Sequence, residues 1–132
     1  MSTRCITVVQ ENGVDILAMY RQMDGYPDGH GKELADYLRG KQIINGISSR
    51  DAANRCFNGM GCLAASLVAH FKTGIGSFYI VPVSDRGSGS YTYIISSDGS
   101  RIKLRVESGG KKPLFDGYVD DFTPGACRED CE

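Results

Sequence analysis

The chain has 132 residues, 41% of them hydrophobic and 23% charged, with 15 Lys and Arg against 16 Asp and Glu for a net charge of −1. That size supports one domain burying about two-thirds of its unfolded surface. The near-neutral balance excludes the broad basic field of most nucleic-acid binders and also the profile of an acidic DNA mimic. The apolar runs at 78–83 and 94–95 fall far short of the ~20 residues of a bilayer span, and the opening Met-Ser-Thr-Arg-Cys has no apolar signal-peptide core. The sequence is therefore read as cytoplasmic.

In chain order, residues 4–10 are rich in β-branched types, a Glu-Asn-Gly turn follows at 11–13, and 14–21 is apolar again, which predicts an N-terminal β-hairpin. Three glycines and a proline then forbid regular structure over 23–31. Leu34, Tyr37 and Leu38 follow helical spacing from Lys32, with Gly40 where a left-handed stop belongs. Residues 41–54 read as a partly anchored connection. Met60, Leu63, Ala64, Leu67, Val68 and Phe71 form one stripe of a second, buried helix, ended near Gly74. Four strands at 78–83, 91–96, 101–107 and 114–119, separated by Gly- and Ser-rich turns, predict an antiparallel meander. Strict alternation places Ile102, Leu104 and Val106 inward and Arg101, Lys103, Arg105 and Glu107 outward. The expected fold is α+β: an N-terminal hairpin, two helices and a meander in a two-layer sandwich. It forms one domain over 1–124, with a polar tail at 125–132.

The loop leaving the second strand is the first place to look for chemistry. Arg21, Asp24, Tyr26, Asp28, Gly29, His30 and Gly31 precede a helix start, where backbone N–H groups from Gly29 to Glu33 are expected to lack internal partners and to attract an anion. Arg21 would add charge, and His30 a donor or proton carrier. The architectural reading of the same residues makes Asp24-Gly25 a turn, Tyr26 a core plug and Asp28 a helix cap. A second entrance, 56–62, offers Asn58 as an N-cap, and the two entrances would frame one pocket if they converged.

The basic stripe Arg101, Lys103 and Arg105 beside Tyr91 and Tyr93 resembles a single-strand platform, although the net charge argues against nucleic-acid binding. For catalysis the histidines are His30 and His70. Cys62 at a helix start would need to meet His30 to form a nucleophile and base pair. An enzyme reading would use His30 as acid or base with Asp24 or Asp28 orienting it. Five cysteines, at 5, 56, 62, 127 and 131, include a CxxxC that could hold zinc with Cys56 and Cys62, but free thiols are the simpler reading. No catalytic residue, metal or cofactor is assigned.

The stretches Tyr20-Arg-Gln-Met-Asp-Gly-Tyr-Pro-Asp-Gly-His-Gly31, Asn58-Gly-Met-Gly-Cys-Leu-Ala-Ala65, Val68-Ala-His-Phe-Lys72 and Leu114-Phe-Asp-Gly117, with the Met1-Ser-Thr-Arg4 opening, span most of the chain. Together they resemble a family of small uncharacterised phage and prophage proteins. The resemblance implies a setting in a host bacterium, where such proteins counter host defence. They do so by sequestering an anionic nucleotide-like signal or by gripping a defence protein of CRISPR or restriction type. From this comes the expectation of a non-catalytic binding protein with Arg21, Asp24, Tyr26, Asp28, Gly29, His30, Gly31, Asn58 and Arg105 at its ligand surface, and of a homo-oligomer as one form of assembly.

Overall fold

A computed structural model describes residues 3–44, 56–85, 89–109 and 112–127. Strand β1 (Cys5–Glu11) turns into β2 (Val14–Arg21) through Asn12 and Gly13, at φ 54° and 82°. Two left-handed residues match the twist of the flanking strands, and Asn-Gly is the pair that adopts them at least cost. The pairing runs from Cys5 opposite Arg21 to Val9 opposite Leu17, then shifts so that Gln10 faces Asp15, which leaves Ile16 as an extra bulged residue.

A π-helical turn, Pro27–Gly31, runs directly into α1 (Lys32–Leu38), and Gly40 at φ 80° follows its end. The connection read over 41–54 contains a short strand, β3 (Gln42–Ile44), paired in parallel with β4 (Cys56–Asn58); three-residue strands are too brief to show a period. Residues 45–55 lie outside the described residues. Helix α2 (Gly59–Phe71) buries Met60, Leu63, Ala64, Leu67 and Phe71 of the expected stripe and leaves its Val68 half-buried.

The fold is α+β, with a mixed six-stranded sheet ordered β5-β2-β1-β6-β7-β8. Strands β6 (Tyr91–Asp98), β7 (Arg101–Glu107) and β8 (Phe115–Tyr118) form the expected meander. The fourth segment does not join it: β5 (Phe78–Val81) pairs with β2 at the opposite edge. Local alternation identifies a strand but not its neighbour, and here β6 pairs in parallel with β1 instead of with β5. The chain from Val81 to Tyr91 must therefore cross β2 and β1, and its turn at Val83–Asp85 packs on β2.

One sheet face, carrying Cys5, Val9, Met19, Tyr93, Ile95, Leu104 and Val106, meets α1 and α2 in the main core. The reverse face is wet only in part. Along β7 the expected alternation holds, with Ile102, Leu104 and Val106 at most 3% exposed. Beneath β1 a second cluster of Ile6, Val8, Ala18 and Ile94 is buried. A strand covered on both faces reads as a continuous apolar run, as residues 5–9 do.

Two further expectations are corrected. Tyr93 is wholly buried, because it faces the helices from a central strand, so the aromatic platform beside the basic stripe does not exist. The start of the expected tail is docked: Pro124–Cys127 forms a 3-10 turn with Cys127 5% exposed, and it packs against the Pro27–Gly31 turn. Residues 128–132, including the Cys131 of the CxxxC, lie outside the described residues.

Candidate functional site

The loop 22–31 is fastened to the sheet by its backbone. Gly25 N–H bonds the Thr3 carbonyl at 2.9 Å, the Tyr93 hydroxyl donates to the Gly25 carbonyl at 2.7 Å, and His30 N–H bonds the Asp24 carbonyl at 2.8 Å. Glycine is required at two of these close approaches. A Cβ on Gly25 would lie 2.8 Å from the Cys5 Cβ, and one on Gly29 would lie 2.5 Å from the Asp24 carbonyl oxygen.

Arg21 and His30 are brought together. Register places Arg21 on the helix-facing side of β2, opposite Cys5 and Phe78. The π-helical turn carries His30 into the core among Phe71, Phe78 and Tyr93, with ring centroids 5.3, 6.3 and 5.1 Å away. Its Nδ1 lies 3.1 Å from Arg21 Nη1, and its Nε2 lies 2.6 Å from Thr7 Oγ1. A guanidinium only donates. Nδ1 is therefore the lone-pair nitrogen, and Nε2–H donates to Thr7. Burial first, and the Arg21 charge second, push the His30 pKa down to about 3. Arg21 continues outward to Glu33 Oε1 at 2.7 Å and lies 5.0 Å from the centroid of the Phe78 ring.

This geometry withdraws the basis of several expectations. The N–H groups of Gly29 and Gly31 bond the Tyr26 carbonyl, that of His30 bonds Asp24, and that of Lys32 bonds Gly29 and Pro27. The loop therefore presents no open anion cradle over 29–32. Tyr26 is no core plug: it is 41% exposed, and its hydroxyl meets the Asp24 carboxylate at 3.3 Å. Asp28 is exposed and makes no cap hydrogen bond to α1, whose N-cap position is Gly31 at the end of the preceding turn. Asn58 does occupy the N-cap position of α2, but without a side-chain cap hydrogen bond. Arg105 sits on β7, with β1 and β6 between it and β2, and pairs with Glu107 at 2.8 Å and Asp116 at 3.5 Å.

Nor do the two helix entrances converge. The start of α2 lies at the hairpin end of the sheet, in a cleft with Glu11, Asn12, Ser97 and Gly99, whereas the loop 22–31 sits at the Cys5 and Arg21 end. It is Phe71, at the end of α2, that meets His30. Cys62 stands nine residues earlier on that helix, roughly 14 Å away along its axis, so it cannot pair with His30. Burial raises the Cys5 thiol to about 12 and the Cys127 thiol to about 11. Among the described residues no three His, Cys, Asp or Glu side chains cluster as a metal site. No described helix is long and apolar enough to cross a membrane.

Reading the sequence missed Thr7, Glu33 and the apolar edge of the sheet. Gln22 N–H bonds the Ser77 carbonyl at 3.0 Å, which brings Met23 and Ile75 beside one end of β5. Tyr79 and Ile80 lie on β5 itself. Past its other end Val83 packs with β2, where Ile16 bulges. The backbone of this edge is blocked on either side of Ile80, whose own N–H and carbonyl face outward. Phe78 N–H bonds Gly76, Lys72 Nζ donates to the Phe78 carbonyl at 2.8 Å, and Pro82 has no N–H. What the edge offers is apolar side chains.

Compared with protein-family models, curated protein sequences and solved structures, the chain matches none of them.

Proposed function

We propose that this chain is a non-catalytic, phage-type binding protein that grips a host defence protein through the β2–β5 edge. One observation supports the reading: Tyr79 and Ile80 on β5, Ile16 and Val83 towards one end of it and Met23 and Ile75 towards the other are each between 39% and 103% exposed. Tyr79 and Ile80 point to opposite faces of the strand, so a partner would wrap this edge, and large apolar side chains grouped in water mark such an interaction site. Lys72 on the Phe78 carbonyl and the missing N–H of Pro82 leave only the Ile80 backbone for pairing, which favours a partner that meets side chains over one that adds a strand. The setting comes from the resemblance to phage and prophage proteins.

A catalytic role for His30 is disfavoured because the ring is buried, both nitrogens are bonded, and its proton affinity is low. An anionic ligand at Gly29–Gly31 is disfavoured because those N–H groups already have partners.

The test is a photo-crosslinking residue at position 80, in a bacterium carrying CRISPR and restriction systems. A discrete heavier species containing a defence protein is expected, lost on adding Tyr79→Asp and Val83→Asp and absent with the crosslinker at Asp98. Crosslinks equal from both positions would overturn the reading.

A further inference from the structure

A cleft of about 620 Å³ opens between α1 and the end of α2, with Phe78 at the start of β5 on its wall. Its floor is a pair of stacked rings. The Tyr37 and His70 centroids are 4.0 Å apart at 14°, and Phe71 meets His70 edge-on at 4.9 Å. Tyr37 is held from two further directions: its hydroxyl donates to the Ser66 carbonyl at 3.4 Å, and Lys41 Nζ lies 4.7 Å from its ring centroid. His70 is exposed, and among the described residues no ring other than Tyr37 stacks on it.

The charges around this floor are unequal. The two carboxylates lining the cleft are already engaged, Glu33 by Arg21 at 2.7 Å and Asp36 by Lys32 at 2.9 Å and Arg39 at 3.0 Å. Lys41 bonds the Tyr37 carbonyl and has no carboxylate partner among the described residues. Asp120, whose carboxylate accepts the Gly40 N–H, lines the neighbouring cleft with Arg101 and also with Lys41, to which it makes no ion pair. The exposed His70 ring and a Lys41 ammonium without a carboxylate partner line one cleft, with Thr73 also on its wall, and together they match a flat ring that carries a negative group.

We propose that this cleft binds a small planar anion of the nucleoside monophosphate class, its ring stacked on His70 and its anionic group against Lys41. Nothing in the loop 22–31 takes part, and the site does not depend on the apolar edge.

The test is titration of the full chain with adenosine 5′-monophosphate, adenosine and inorganic phosphate, followed by NMR of the His70 ring and by calorimetry. One-to-one binding of the monophosphate is expected, with adenosine and phosphate each about tenfold weaker or worse. Lys41→Met and His70→Ala should each weaken it about tenfold, and His70→Phe should restore most of the loss because a ring is kept. Of the two positions His70 is exposed and Lys41 half-buried, and an unchanged Tm separates loss of binding from loss of fold. No response to the monophosphate at millimolar concentration would overturn the proposal, as would phosphate binding equally well and indifferently to His70→Ala. Ile80→Asp, which addresses the protein-binding edge, should leave the titration unchanged.

Discussion

His30 gives the clearest case of one residue whose role its neighbours decide. In sequence it stands between two glycines after Pro and Asp, which suggests an exposed loop histidine near a helix start. In the fold it is a neutral core residue bridging Thr7 and Arg21. Its pKa falls from 6.5 unfolded to about 3 folded, so between those pH values the unfolded chain holds a proton that the folded chain does not. Stability therefore falls as pH falls through that window, at up to about 1.4 kcal/mol per pH unit from this residue. Urea midpoints of wild type and His30→Gln from pH 7 to pH 4 should converge on acidification; parallel curves would mean that the folded ring takes the proton. The stretch 20–31 was visible as the place to look. Its Thr7 partner was not, since Thr7 is 23 positions away and belongs to a run that reads as plain strand.

At the scale of elements, α2 and β7 were legible because a helix period and a strand period each leave a repeat of several residues. Strand β5 was legible as a strand but not in its place. Its edge carries two devices against uncontrolled pairing: Lys72 reaches across to the Phe78 carbonyl, and Pro82 withholds an N–H. Replacing both, with Lys72→Ala and Pro82→Val, should expose a pairable edge flanked by Tyr79 and Ile80. The expected result is concentration-dependent self-association in sedimentation velocity that the wild type does not show. A double variant as monomeric as the wild type would mean that the edge is closed by other means.

For the whole molecule, β1 is the organising strand. It pairs with β2 on one side and with β6 on the other, and its residues 5–9 are buried on both faces. Its amides should exchange with solvent only by global unfolding, while those of the edge strands β5 and β8 exchange earlier. Hydrogen-exchange mass spectrometry resolves the difference, and β1 exchanging as fast as β8 would count against this order. Composition and periodicity by themselves determined the α+β class, the hairpin at Asn12-Gly13, the two helices, the last three strands and the inward faces of α2 and β7. These features rest on local conformational preference and on which side of an element is apolar, and both are written within a few residues. Tertiary structure alone decided the parallel contact of β1 with β6, the separation of the two helix entrances, the burial of His30 and Tyr93, and the gathering of exposed apolar residues along one edge. Each of these depends on which distant segments share a surface, a choice set by the packing free energy of the whole core and not by any local pattern.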